Sequence, residues 1–173
     1  MGAQPFLYRS TVRASVTVPH PAPDGVTIRR AERADLLAVI RIESASFPQP
    51  WPANAFEAFL GEPGFLVAVD AANRVVGYAV ADVTPTHGGL LGHLKDIAVH
   101  PDRRGNGIAT ALLERVFVLM HTSGADSLKL EVRESNEPAL ELYRGAGFEP
   151  LRRVDDYYAD GEDAIVMLHD LDE

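Results

Sequence analysis

The chain of 173 residues has no cysteine and only two lysines, Lys95 and Lys129. Lack of cysteine excludes a disulfide frame, a thiolate nucleophile and a zinc site built on sulfur. No stretch approaches the about 20 apolar residues of a membrane-spanning helix. The first 25 residues carry two arginines but no apolar run of signal-peptide length. Pro19, Pro21 and Pro23 break up a mixed polar and apolar segment there, so residues 1–25 read as a flexible leader and the protein as cytoplasmic. Basic residues are outnumbered 16 to 25 by acidic ones, for a net charge of −9. That balance argues against general nucleic-acid binding, which needs basic surface to replace counterions. Excess carboxylate with scarce lysine fits a protein kept soluble in strong salt. It fits an arginine-rich genome as well, and neither reading names a function.

What is present suits one domain over residues 26–173, with a hydrophobic share of 46% to build its core. Val26–Arg30 reads as a strand. Leu36, Val39, Ile40 and Glu43 recur at helical spacing, which predicts a helix from Asp35 to Ser44, the first three on its apolar face. Phe47-Pro-Gln-Pro-Trp-Pro52 is a loop, because each proline restricts itself and its predecessor. Pro52 then opens a short helix ending near Gly61. Strands are predicted at Phe65–Val69, Val75–Val83, Leu94–Val99 and Leu128–Val132, and at Glu149–Val154 and Ala164–His169. Gly107 to His121 has the strongest helical pattern, and a further helix runs from Ser135 or Asn136 to Ala146. Strands and helices so interleaved imply an α/β (α+β) mixed sheet covered on both faces. The six histidines show no ligand-pair spacing, so no metal is expected.

Arg103-Arg-Gly-Asn-Gly-Ile-Ala109 lies between a strand and the best helix. Glycines let backbone wrap a ligand, and the unpaired amides of a first helical turn attract phosphate. Arg103 and Arg104 add positive charge on an otherwise acidic chain. No Gly-Lys-Ser/Thr ending and no third glycine are present, so neither standard nucleotide loop applies.

The run Leu94-Lys-Asp-Ile-Ala-Val-His-Pro-Asp-Arg-Arg-Gly-Asn-Gly-Ile-Ala109 resembles the acetyl-CoA loop of the GNAT N-acetyltransferases, with Arg104, Gly107 and Ala109 on the signature positions. Leu130-Glu-Val-Arg-Glu-Ser-Asn136, Ala139-Leu-Glu-Leu-Tyr143 and Gly147-Phe148 resemble the family's next blocks. Tyr157-Tyr-Ala-Asp-Gly-Glu-Asp-Ala164 is similar to the C-terminal hairpin of protein N-terminal acetyltransferases, of both RimI and archaeal Ard type.

The resemblance implies a GNAT fold: a mixed, mostly antiparallel sheet of about seven strands, four helices on its two faces, and strands four and five splayed apart. It implies that acetyl-CoA is held by Ile97, Ala98 and Val99, then by Arg104, Gly105, Asn106, Gly107, Ile108, Ala109 and Thr110. Asn136 matches a cofactor-holding asparagine, but it also suits a helix cap, and one side chain could not easily do both. Glu131 matches the general base and Tyr143 the general acid, with His93 as the alternative base. Phe47, Pro48, Tyr157 and Tyr158 would close over the acceptor. Gln49 stands where the Ard pattern has glutamate, which places this loop nearer to RimI. The implied reaction is direct acetyl transfer in a ternary complex to α-amines of Ala-, Ser- or Met-starting chains, with ribosomal proteins one target class by analogy. No acyl-cysteine can form, and a monomer or weak dimer is expected. A small amine, a lysine side chain, or a CoA-binding module without catalysis are the competing readings.

Overall fold

In the computed structural model, which describes residues 22–172, strands and helices follow the order that the hydrophobic periods predict. Residues 1–21 of the expected leader lie outside the described residues. The elements are β1 (Thr27–Arg30), α1 (Leu36–Ser46), α2 (Ala53–Glu57), β2 (Phe65–Val69), β3 (Val75–Thr86) and β4 (Gly89–Val99), followed by α3 (Ile108–Thr122), β5 (Ala125–Arg133), α4 (Glu137–Gly145), β6 (Glu149–Val154) and β7 (Ala164–Asp170). All seven strands form one sheet in the order β1-β2-β3-β4-β5-β7-β6. Only β4 and β5 are parallel; the other neighbours are antiparallel.

Helices cover both faces. On one, α3 and α4 bury Leu112, Leu113, Val116 and Leu140 against Leu66, Ala79, Leu128, Leu130 and Met167. On the other, α1 and α2 bury Val39, Ile42 and Phe56 against Phe65, Val67, Tyr78 and Val80. All five residues of β2 are buried because both faces of that strand are covered. A Cβ on Gly77 would lie 3.2 Å from Leu112 Cδ1 and 3.1 Å from the Ala98 carbonyl oxygen, so glycine there lets α3 lie close on β3.

Several boundaries and one buried face differ from the sequence reading: β3 runs on to Thr86 and β5 spans Ala125–Arg133. β4 begins at Gly89 rather than Leu94, because β3 and β4 form one long hairpin paired from Gly77↔Val99 to Thr86↔Gly89. Its turn-rich start carries no strand signal, and the neighbouring strand supplies the hydrogen bonds. α2 closes at Glu57 and continues as turns toward Gly61. The buried stripe of α1 is Leu36, Val39, Ile42 and Glu43, with Ile40 only partly buried.

Two irregularities open the sheet. β4 and β5 pair only through Leu90–His93 with Ala125–Lys129, and the pairing stops there. In β4 the register shifts so that Val80 faces Asp96 and Ala81 faces Leu94, leaving Lys95 as an extra residue. Such a bulge bends a strand and redirects its side chains. The strands therefore splay beyond His93 and Lys129, as the resemblance implied.

Candidate active site

The end of β4 and the loop after it form the first half of the site. Ile97, Ala98 and Val99 pair with β3 on one edge, and their other edge faces the splay. Gly105 and Gly107 both take left-handed backbone, at φ +77° and +79°, which glycine adopts without steric cost. The Ala111 amide donates to the Gly107 carbonyl at 3.0 Å. The amides of Ile108, Ala109 and Thr110 precede that bond and belong to the first turn, which has no intrahelical acceptors. Those amides, with the helix dipole behind them, fit a diphosphate.

The two arginines beside the cradle are anchored by groups outside the loop. Arg103 pairs with Asp70 at 3.2 Å. Arg104 donates from Nε to the Val99 carbonyl and from Nη2 to Ser46 Oγ, both at 3.0 Å. Both guanidinium groups are anchored to the protein, and because the partners of Arg104 are neutral its positive charge stays beside the cradle. Asn106 shapes it by donating to the Arg103 and Arg104 carbonyls at 3.0 and 3.3 Å.

A cavity of about 320 Å³ occupies the splay. Leu130 and Val132 are buried on the α3/α4 face, so Glu131 between them points the other way, into the cavity. Its Oε2 lies 2.6 Å from His93 Nε2, and its Oε1 lies 3.2 Å from Lys129 Nζ. His93 and Lys129 sit opposite each other at the last paired position before the splay. Burial pushes the Glu131 carboxyl up, but the hydrogen bonds and charges of His93 and Lys129 outweigh it and hold it below the usual range. Glu131 is thus an anion that orients an imidazole. Sequence spacing could not show this dyad, because its members are 38 residues apart.

Tyr143 enters the cavity from α4, 7% exposed, its ring edge against Phe148 at 5.7 Å. Burial, and then the charge of Asp96, pushes its hydroxyl well above the usual tyrosine range. Asn136 caps α4 by accepting from the Ala139 amide at 3.3 Å, and it also lines the cavity. Capping uses Oδ1 alone, so the amide nitrogen keeps two donors. The two roles expected to compete can therefore coexist.

The acceptor side is walled by Phe47, Gln49 and Trp51 from the α1–α2 loop and by Tyr157 and Tyr158 from the β6–β7 hairpin. Pro48 is exposed and does not line the cavity, because the loop turns it toward solvent. Burial pushes the Tyr158 hydroxyl up to about 12. Sequence reasoning missed a buried polar group beside this wall. The Tyr78 hydroxyl donates to Glu43 Oε2 and lies 3.2 Å from Asp96 Oδ2, while Glu43 Oε1 accepts the Trp51 amide at 2.8 Å. Burial, then the charge of Glu43, pushes the Asp96 carboxyl well above the usual range. A carboxylate on the apolar stripe of α1 was the available signal. Among the described residues, no helix is long and apolar enough to cross a membrane.

The chain is similar to known proteins in sequence and fold. An "N-alpha-acetyltransferase" from Saccharolobus solfataricus is 36% identical over 157 residues, covering 84% of this chain and 93% of that protein. The crystal structure of the ribosomal-protein-S18-alanine N-acetyltransferase from Escherichia coli is 31% identical, with a TM-score of 0.72 over 86% of this chain and 95% of that one. One chain of the NatC complex bound to Gag peptide and CoA is 25% identical, with a TM-score of 0.78 over 84% of this chain and 98% of that one. The profile of the acetyltransferase (GNAT) family matches residues 36–148, which hold the splay, the glycine loop and Tyr143. With that match over most of its length, the chain belongs to the GNAT acetyltransferase family.

Proposed function

We propose that this protein is an N-terminal protein acetyltransferase that moves an acetyl group from acetyl-CoA to the α-amine of a peptide chain in one ternary complex. The observation that carries the reading is the cavity itself. It presents Glu131, bound from behind by His93, and Tyr143 where the strands part, between aromatic walls that suit an extended peptide end. The names of the similar proteins from Saccharolobus solfataricus and Escherichia coli support the same acceptor class.

Glu131, which lines the cavity as an anion with His93 against its Oε2, takes the proton that the amine loses. An α-amine has a pKa of about 7.7–8.0, against about 10.4 for lysine, so a modest base is enough near neutral pH. Tyr143 keeps its proton and offers it to the departing sulfur, whose pKa is about 8.5. Main-chain amides at the end of β4 stabilise charge on the thioester oxygen. Ile97, Ala98 and Val99, with Arg104 to Thr110 and Asn136, hold the acetyl-CoA; Phe47, Tyr157 and Tyr158 hold the acceptor. Ribosomal proteins in the cytoplasm are a target class that this acidic chain, at net charge −9, would attract electrostatically. The test is acetyl-CoA turnover across peptides with free and blocked N-termini. Acetylation of free α-amines is expected; acetylation confined to lysines of blocked peptides, or to small amines, would overturn the reading.

A further inference from the structure

Arg133 lies on β5 two residues beyond Glu131, takes no part in the chemistry above, and yet joins both walls of the cavity. Its Nη1 donates to Asp160 Oδ2 and Glu162 Oε2, each at 2.8 Å. The guanidinium carbon lies 4.0 Å from the centre of the Tyr158 ring. Glu162 is itself fixed by the Ser135 amide at 3.0 Å and by the Ser135 hydroxyl. The hairpin therefore holds this guanidinium in place without help from the opposite wall.

Nη2 is different. Among the described residues its hydrogen-bond partner is Gln49 Oε1, at 3.3 Å and in an exposed position. That is a long bond. A glutamine side-chain carbonyl has the same chemistry as the carbonyl of a peptide bond. Side chains two residues apart on one strand face stand about 6.6 Å apart. An extended acceptor with its amine at Glu131 carries its second carbonyl about as far away, since each residue spans about 3.3–3.6 Å. Asp160 and Glu162 already oppose the arginine's charge, so Nη2 suits a neutral oxygen better than an acidic side chain.

We propose that Arg133 Nη2 binds the second main-chain carbonyl of the acceptor, and that the Gln49 amide holds this donor until the acceptor displaces it. The inference rests on the reading of the cavity as a peptide site. The Gln49 bond is long and exposed, so its exchange for a shorter bond to an acceptor carbonyl inside the cavity is favourable. A carboxylate at position 49 would instead form a charge-assisted bond roughly twice as strong and hold the donor closed.

Trp51 is the only tryptophan in the chain and lines the cavity, so its fluorescence reports peptide binding without turnover. With CoA present, affinities are measured for an amino-acid amide and for the dipeptide amide that extends it by one residue. In the wild type the dipeptide amide binds about tenfold tighter, the ratio that corresponds to one hydrogen bond of about 1.4 kcal/mol. Gln49→Glu and Arg133→Lys each remove that preference, while the Kd of CoA stays unchanged. Gln49→Glu sits on an exposed loop and keeps the test open if Arg133→Lys fails to fold. Equal affinity of the two ligands in the wild type, or a preference that survives Gln49→Glu, overturns the proposal. Failure of the acetyltransferase reading would show separately, as absent turnover.

Discussion

Replacing Tyr143 by phenylalanine separates the chemistry of this site from its packing. The substitution removes one oxygen and keeps the ring that packs against Phe148. Among the described residues the Tyr143 hydroxyl has no hydrogen-bond partner, so its loss leaves no buried group unsatisfied. The expected change in folding stability is under about 0.5 kcal/mol. Truncation to alanine would instead cost about 3–5 kcal/mol. Catalysis depends on the same oxygen. General acids contribute about 10²–10⁴-fold, and a thiolate of pKa about 8.5 is a tolerable leaving group near neutral pH. The lower end applies: kcat falls about a hundredfold, equal to about 2.7 kcal/mol. Colorimetric detection of released CoA thiol, with mass spectrometry of the acetylated peptide, gives kcat; a thermal melt gives stability. Because burial raises the Tyr143 pKa, the hydroxyl keeps its proton across the assay range. The ratio of wild-type to variant kcat is therefore constant from about pH 6 to about 9, below the ordinary tyrosine value of about 10. A phenylalanine variant with full kcat, or one that loses both kcat and several degrees of Tm, would refute the assignment.

Glu131→Gln removes the carboxylate that takes the proton and is expected to lower kcat/KM about a hundredfold with little change in the Kd of CoA by calorimetry. Lys129→Arg keeps the charge beside Glu131 yet reduces kcat more than tenfold, because a forked guanidinium claims both carboxylate oxygens; steady-state rates at saturating peptide check it. Asp35 is buried and bound by Arg29 at 2.7 and 3.0 Å and by the Glu32 amide at 2.8 Å, so Asp35→Asn should cost about 2 kcal/mol at neutral pH. Burial raises the Asp35 pKa, but those bonds lower it further, so its stabilisation is present above the unfolded aspartate value of about 3.9. It is lost as pH falls through the lower folded value, and thermal melts should show the gap between variant and wild type closing in acid.

Strands whose neighbours lie close in sequence and whose residues are uniformly apolar or clearly bounded could be read directly. Phe65–Val69 and Glu149–Val154 have the bounds expected of them. The first half of β4 could not, because Gly89 and Gly92 carry weak strand preference and the segment is ordered by its pairing with β3. In the site, motif spacing singled out Glu131, Tyr143 and the glycine loop. What surrounds them depends on register. His93 meets Glu131 only because β4 and β5 pair at His93↔Lys129 before parting. Glu43, Tyr78 and Asp96 come from α1, β3 and β4, and nothing in the spacing of any one element points to the other two. Arg103 and Arg104 likewise take their partners from distant segments. Their position beside a phosphate cradle could be read from the motif, but Asp70, Ser46 and the Val99 carbonyl, which hold them, lie outside it.

The two lysines, so scarce in the composition, now have a physical explanation. Both lie on the acceptor side of the splay. Lys95 sits at the β4 bulge, 3.5 Å from Asp82 and 5.9 Å from the Phe59 ring centre, and Lys129 sits on Glu131. Fourteen arginines serve the rest of the chain, and Arg29 shows the planar fork that arginine offers, with two nitrogens on the two oxygens of Asp35. Glu131 needs the opposite. Its Oε1 meets the Lys129 ammonium while its Oε2 is bound to His93. A compact ammonium with its charge at one point can satisfy one oxygen and leave the other, whereas a guanidinium favours both. At Glu131, then, lysine supplies a one-point contact that a forked guanidinium would not.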